Sequence, residues 1–232
     1  MQYLNPRNDI AFKKIIRTIL MLACISIFCV FIAFSGKIDA YLAFLPYDVI
    51  SNKFYGETHL WCKVVYFLVP VIVVLIIIFS LFILFFYKKL NLTFFMAKRF
   101  TIIILLSLSI GPGLITNAIF KDNWGRPRPY QVIRDGAEFR PVYRPDFGAS
   151  QNNSFPCGHA TVGFFLGIPL LVIGRRKCAL ITSFIGGAFV GLVRFLQGGH
   201  YLTDIIFSGI IVWMVAEIII YVYDKYLKAG LD

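Results

Sequence analysis

An all-α integral membrane protein, with six transmembrane helices in one bundle, is predicted by three features of this sequence. Hydrophobic residues make up 59% of the 232 positions and charged residues only 15%, which lies outside the range of soluble domains. Several apolar runs reach the roughly 20 residues needed to cross a hydrocarbon core. Lysines and arginines gather between alternate runs, as positive charge on the cytoplasmic side produces. The formal charge of +11 would suit nucleic acid in a soluble domain, but such a domain does not carry spanning-length apolar runs. No nucleic-acid partner is therefore expected.

Residues 1–14 read as a basic cytoplasmic leader and residues 15–232 as a single membrane domain, with no internal repeat or linker. The first span, Ile15–Phe34, follows the basic start; it is too long for a signal peptide and lacks a small-residue cleavage site. Val64–Tyr87, Phe100–Phe120 and Ile205–Tyr223 are equally clear spans. Ala160–Ile173 is short unless its helix begins near Cys157. Ala179–Phe195 is interrupted by Gly186, Gly187 and Gly191, and small residues let helices approach closely inside a bundle.

Basic groups flank these spans on one side. Arg7, Lys13, Lys14 and Arg17 precede the first; Lys88, Lys89, Lys98 and Arg99 separate the second and third; Arg175, Arg176 and Lys177 separate the fourth and fifth; Lys225 and Lys228 follow the last. All fall on the cytoplasmic side if both termini are cytoplasmic. The opposite face then receives residues 35–63, 121–159 and 197–204. The middle connection breaks the bias by carrying Lys121, Arg126, Arg128, Arg134, Arg140 and Arg144. A phosphate-binding site would account for cations there, because guanidinium groups grip phosphate oxygens in bidentate fashion.

Three polar clusters lie on that outer face. Lys121-Asp-Asn-Trp-Gly-Arg-Pro-Arg128-Pro129 leaves the third span, Pro156-Cys157-Gly158-His159 opens the fourth, and Arg194-Phe-Leu-Gln-Gly-Gly-His200-Tyr-Leu-Thr-Asp204 joins the fifth to the sixth. Phosphoryl transfer needs cations around the phosphate oxygens, an in-line nucleophile and a proton for the leaving oxygen. Lys121, Arg128 and Arg194 supply the cations, and His159 and His200 the nucleophile and acid in either order. Asp204, four residues after His200, shares a helix face with it and can hydrogen-bond its imidazole. Gly158, at a helix start, offers backbone N–H groups to an anion. The five cysteines form no metal-ligand spacing, so neither a metal nor another cofactor is expected.

In order and spacing these clusters resemble the three-part signature of the type 2 phosphatidic acid phosphatase superfamily, over about the second half of the chain. The resemblance implies a six-helix phosphatase that works without metal through a phosphohistidine, with its active site at the periplasmic face of a bacterial inner membrane. It also assigns roles: His200 as nucleophile, Asp204 as its partner, His159 as general acid, and Lys121, Arg128 and Arg194 as phosphate ligands, with Cys157 and Gly158 at the phosphate loop. Two positions depart from the family pattern, Cys157 and Val193, where serines are usual. A thiol is the weaker phosphate donor. The wording of the first and third clusters looks like that of the bacterial lipid A phosphatases, which remove a 1- or 4′-phosphate. A membrane lipid is thus the implied partner, and the oligomeric state is left open. Phosphatidylglycerophosphate or undecaprenyl pyrophosphate hydrolysis, phosphotransfer to lipid A, and a silent lipid-binding relative are the alternatives.

Several other residues have plainer readings. His59 lies outside any motif and is structural. Trp61, Tyr66 and Trp213 belong to interfacial belts or helix packing. Arg134, Arg140 and Arg144 belong to a solvated charged loop. Glu217, inside the last span, calls for a buried partner.

Overall fold

The computed structural model describes residues 36–149 and 153–227, together with residues 15–27 except 17 and 20. Within the first predicted span, the described part of 15–27 is helical (α1); the remainder, like the leader, lies outside the described residues. A short outer segment follows, comprising α2 (Lys37–Phe44), a two-stranded hairpin of β1 (Tyr47–Asp48) and β2 (Lys53–Phe54), and α3 (Tyr55–Thr58). The remaining helices are α4 (Leu60–Phe86), α5 (Phe94–Leu108), α6 (Pro129–Ile133), α7 (Gly158–Phe165), α8 (Ile168–Val172), α9 (Arg176–Leu196) and α10 (Leu202–Val222).

Four described helices are long and apolar enough to cross a membrane: Leu60–Phe86, Phe94–Lys121, Arg176–Leu196 and Leu202–Tyr226. They match four of the predicted runs, each extended by a few residues into its polar flanks. The run Ala160–Ile173 differs. It forms α7 and α8 with a break at Leu166–Gly167, because Pro169 has no N–H to return to the carbonyl four residues earlier. One residue from that carbonyl, Ser183 Oγ of α9 donates to the Phe164 carbonyl at 2.7 Å.

Half of the most apolar window of the α10 span is buried within the protein, against 11% of that of α4. α10 is therefore the central helix and α4 the most lipid-facing. Phe100, Ile103 and Ile104 of α5, Phe165 and Ile168 of the α7–α8 pair, and Val212, Trp213 and Ala216 of α10 share one core cluster. The glycines of α9 act as predicted. A Cβ on Gly187 would lie 2.3 Å from the Phe164 ring, and one on Gly191 would lie 2.4 Å from Ile205, so side chains of α7 and α10 pack directly on the backbone of α9.

α5 widens over Ser109–Lys121 into a π-helix containing Gly111 and Pro112. Within it, Asn117 Nδ2 donates to the Pro112 carbonyl at 2.7 Å. Lys121 is delivered at the end of this segment.

The two ends of the bundle are chemically distinct. At the basic end, Arg99 on α5 forks onto Asp224 at 2.7 and 2.8 Å and donates to the Val172 carbonyl of α8. Arg176, at the start of α9, pairs with Glu217 of α10 at 2.5 Å and donates to Thr18 of α1. The buried Glu217 thus has a partner, the half-buried Arg176. The helix ends that the charge bias assigned to one side do meet there, and the three polar clusters meet at the opposite end.

A Gly163→Ala substitution puts a Cβ 2.4 Å from the Gly186 carbonyl oxygen, which backbone cannot vacate. It is expected to cost about 1–3 kcal/mol, read as a lowered thermal unfolding midpoint in detergent.

Candidate active site

The third polar cluster folds as the link between two spans. α9 runs to Leu196; Gly198 then turns the chain at φ 62°, and α10 starts at Leu202 with its Asp204 carboxylate accepting from the Tyr201 N–H at 2.9 Å. Gly199 leaves room for the Arg194 guanidinium, one nitrogen of which would sit 2.4 Å from a Cβ there. The loop thereby places Arg194 and His200 on one wall.

His200 is 1% exposed. Its Nδ1 lies 2.5 Å from the Ser154 carbonyl oxygen, and because a carbonyl only accepts, Nδ1 carries the proton and Nε2 keeps a free lone pair. The predicted His200–Asp204 hydrogen bond is not formed: Asp204 Oδ2 stands 3.8 Å from Nδ1, beyond hydrogen-bond range but near enough to stabilise a positive imidazole. The carboxylate is engaged elsewhere. Oδ2 accepts from Ser154 Oγ at 2.7 Å, and Oδ1 accepts from Arg126 Nη1 at 2.5 Å. Asp204 acts on His200 through Ser154, whose hydroxyl it holds while the Ser154 carbonyl holds the ring.

Arg126 was legible only as one of several outer cations, yet it is 1% exposed and every direction of its guanidinium is occupied. Nη1 bonds Asp204 and, at 2.9 Å, Thr203; Nη2 bonds Asp39 at 2.8 Å; Nε bonds the Arg140 carbonyl at 2.9 Å. The plane stacks 4.1 Å from the Tyr201 ring centroid. Asp39, on α2, also accepts from the Thr203 hydroxyl at 2.5 Å. No motif signal marked Asp39 or Ser154.

The other cations of the site are differently placed. Arg128 is half-buried and donates to Asn153 at 3.1 Å, and Arg194 donates to Gln197 at 2.5 Å. Yet the Nε atoms of both arginines are buried and meet no hydrogen-bond partner among the described residues. Buried guanidinium N–H groups without acceptors are costly, and two of them beside Lys121 define a place for an anion. Tyr66 joins this wall: its ring stacks on His159 at 4.4 Å and lies 4.8 Å under the Arg194 guanidinium. It orders two site residues rather than forming part of an interfacial belt.

Gly158 begins α7 against Asn117, whose Oδ1 would lie 2.9 Å from an added Cβ. Cys157 is fully buried, and its sulfur caps α7 by accepting from the Ala160 N–H at 3.4 Å. Burial pushes its thiol up to about 11, so it is neutral. Its position makes it a helix cap rather than an anion ligand, leaving the backbone N–H groups of the helix start to face a phosphate.

Burial, with the charges of Arg194 and Arg128, lowers His200 to about 4, although Asp204 opposes the shift. Burial also lowers His159, just ahead of the Ala160–Ile173 run, to about 3, with Arg194, His200, Lys121 and Arg128 adding to the effect. The structure therefore brings His159, His200, Lys121, Arg128 and Arg194 into one electrostatic unit. The remaining outer arginines stand apart: Arg134 pairs with Glu57 and Asp135, and Arg140 with Asp146.

With fold and site described, the family follows. The chain belongs to the PAP2 superfamily, whose model matches residues 100–228. Among curated proteins it is similar to a lipid A 4′-phosphatase of Francisella tularensis subsp. novicida, with 36% identity over 168 residues, covering 70% of this chain and 72% of the relative. Two shorter matches are lipid A 4′-phosphatases of Rhizobium etli, at 32% over 43% of this chain and 40% of the relative, and of Rhizobium leguminosarum, at 28% over 43% and 45%. No solved structure matches the chain.

Two outcomes are expected. Arg126→Ala strands two buried carboxylates and should lower stability by about 3–5 kcal/mol, measured by thermal unfolding in detergent. A nucleophilic His200, as the family resemblance implies, must be neutral to attack. Because its proton affinity is depressed to about 4, kcat/KM should hold across the mildly acidic range and fall only as pH drops towards that value, whereas an unperturbed imidazole would impose the loss near pH ~6.5.

Proposed function

We propose that this chain is a membrane phosphatase that removes the 4′-phosphate of lipid A through a phosphohistidine on His200. The observation that carries the chemistry is the pair of buried Nε–H groups of Arg128 and Arg194, which meet no acceptor among the described residues, beside the imidazoles of His159 and His200. A phosphate monoester supplies the missing acceptors and balances the charge of Lys121, Arg128 and Arg194. The relatives' names supply the lipid and the position.

In the proposed reaction the His200 Nε2 lone pair attacks phosphorus in line with the sugar oxygen. The P–N bond forms as the P–O bond breaks, and the leaving oxygen takes a proton from His159. The Ser154 carbonyl holds the Nδ1 proton, and Asp204 at 3.8 Å offsets the positive charge that grows on the ring. Both imidazoles are neutral before phosphate arrives, so the acid must gain its proton with the substrate. The incoming anion makes this feasible, because it neutralises the cations that hold the proton affinity of His159 down. Water then attacks the phosphohistidine, returning a proton to His159 and releasing phosphate.

This reading includes six spans, with α1 and the α7–α8 pair completing the four long helices. It places both termini in the cytoplasm and the site at the periplasmic face of the inner membrane. The charge pattern supports this orientation, since Arg99, Arg175, Arg176, Lys177 and Lys225 occupy the end opposite the site.

Purified protein in detergent should release phosphate from lipid A, with the 4′-position identified by mass spectrometry of the product. His200→Ala should abolish release, and Arg194→Ala should slow it about 100- to 1,000-fold, as loss of one preorganised donor does. Full activity of the His200 variant would refute the phosphohistidine route.

A further inference from the structure

The outer hairpin is built in a way that catalysis does not explain. Its turn, residues 49–52, is held rigidly: Asp48 accepts from the Ile50 N–H at 3.0 Å and from the Ser51 hydroxyl at 2.6 Å, and the Tyr47 hydroxyl donates to Asn52 at 2.5 Å. Turn tips in water favour Gly, Asn, Asp and Ser. This one presents Val49 and Ile50, which are 78% and 97% exposed. Neighbouring α2 adds exposed Tyr41 and Phe44, followed by Leu45.

The depth of the hairpin is set by its neighbours. Asp48, Ser51 and Lys53 share a groove of about 720 Å³ with Trp61 of α4 and with Leu192 and Leu196 of α9. Leu192 lies four residues before the end of α9, so the hairpin hangs alongside the last ~6 Å of a membrane helix. Trp61 stacks on Phe189, with ring centroids 6.3 Å apart, at the same level. An aromatic at the start of one span, packed on the outer turns of another, marks the boundary between headgroups and acyl chains. The groove's apolar walls open there, with exposed Lys53 at its rim.

We propose that this hairpin docks on the membrane, immersing Val49 and Ile50 in the leaflet on the site's side while the groove behind it takes an acyl chain of a bilayer phospholipid and Lys53 meets its phosphate. The groove shares a wall with the catalytic loop, since Phe54 lines it and also packs under Gly198, where a Cβ would lie 2.6 Å from the ring. Lipid contact would thus brace the loop that carries His200. The docking itself does not rest on the identity of the substrate.

Spin labels at Ile50→Cys and, as an aqueous reference, at Asp135→Cys would be introduced into a chain with Cys24, Cys29 and Cys178 replaced by serine. Both proteins would be reconstituted in phosphatidylethanolamine–phosphatidylglycerol vesicles. The label at position 50 should collide more readily with oxygen than with a water-soluble nickel chelate, and the label at 135 the reverse. Equal chelate access at the two positions overturns the proposal. Ile50→Asp should lower kcat/KM for a vesicle-borne phosphorylated lipid about tenfold while leaving turnover of a water-soluble phosphate monoester unchanged. An equal loss on both substrates would mean the hairpin serves only the fold, and would likewise overturn it.

Discussion

Three outer segments far apart in the chain converge on the guanidinium of Arg126, which lies between the carboxylates of Asp39 and Asp204. Burying three charges is tolerable only if the geometry uses nearly every donor and acceptor, and here Thr203 and the Arg140 carbonyl complete the set. The first outer helix, the loop after α5 and the start of α10 are locked to one another. His200 inherits its position from that lock, through Asp204 and Ser154 to the imidazole Nδ1.

The same lock arranges the charge of the site. Asp204 spends its hydrogen-bonding capacity on Arg126, Ser154 and the Tyr201 N–H, so it does not neutralise Arg128 or Arg194. Those arginines and Lys121 keep their positive field for an anion. The carboxylate nevertheless remains 3.8 Å from the His200 ring, near enough to stabilise a positive imidazole. One buried salt bridge thus separates two features that would otherwise conflict: a positive cavity and a negative charge behind His200.

Beneath this layer the bundle has different rules. Without water, backbone groups must pair internally and helices attract one another through close packing rather than hydrophobicity. The glycines of α7 and α9 allow that close packing, and beside the break at Leu166–Gly167 the Ser183 hydroxyl of α9 bonds the Phe164 carbonyl. The rigid contact between these helices carries His159 and Arg194 on adjoining elements, with Tyr66 of α4 stacked against both.

Much of this was readable along the chain. Spans follow from runs of apolar residues, and the two ends of the bundle follow from where lysine and arginine fall, because both depend on local composition. The motif residues His159, His200, Lys121, Arg128, Arg194 and Asp204 were identifiable from short spacings. What tertiary structure decided was which of them touch. An i,i+4 spacing permits a His200–Asp204 hydrogen bond, but Arg126 and Ser154 compete for the same carboxylate and win, and no spacing reveals competitors from another segment. Asp39 and Tyr66 were invisible as site residues for the same reason, each being an ordinary residue until a distant element packs on it. The sequence by itself determined which residues the site contains and the end of the bundle they share. Only the fold decided how its charges are paired, because burial makes pairing depend on every neighbour in three dimensions.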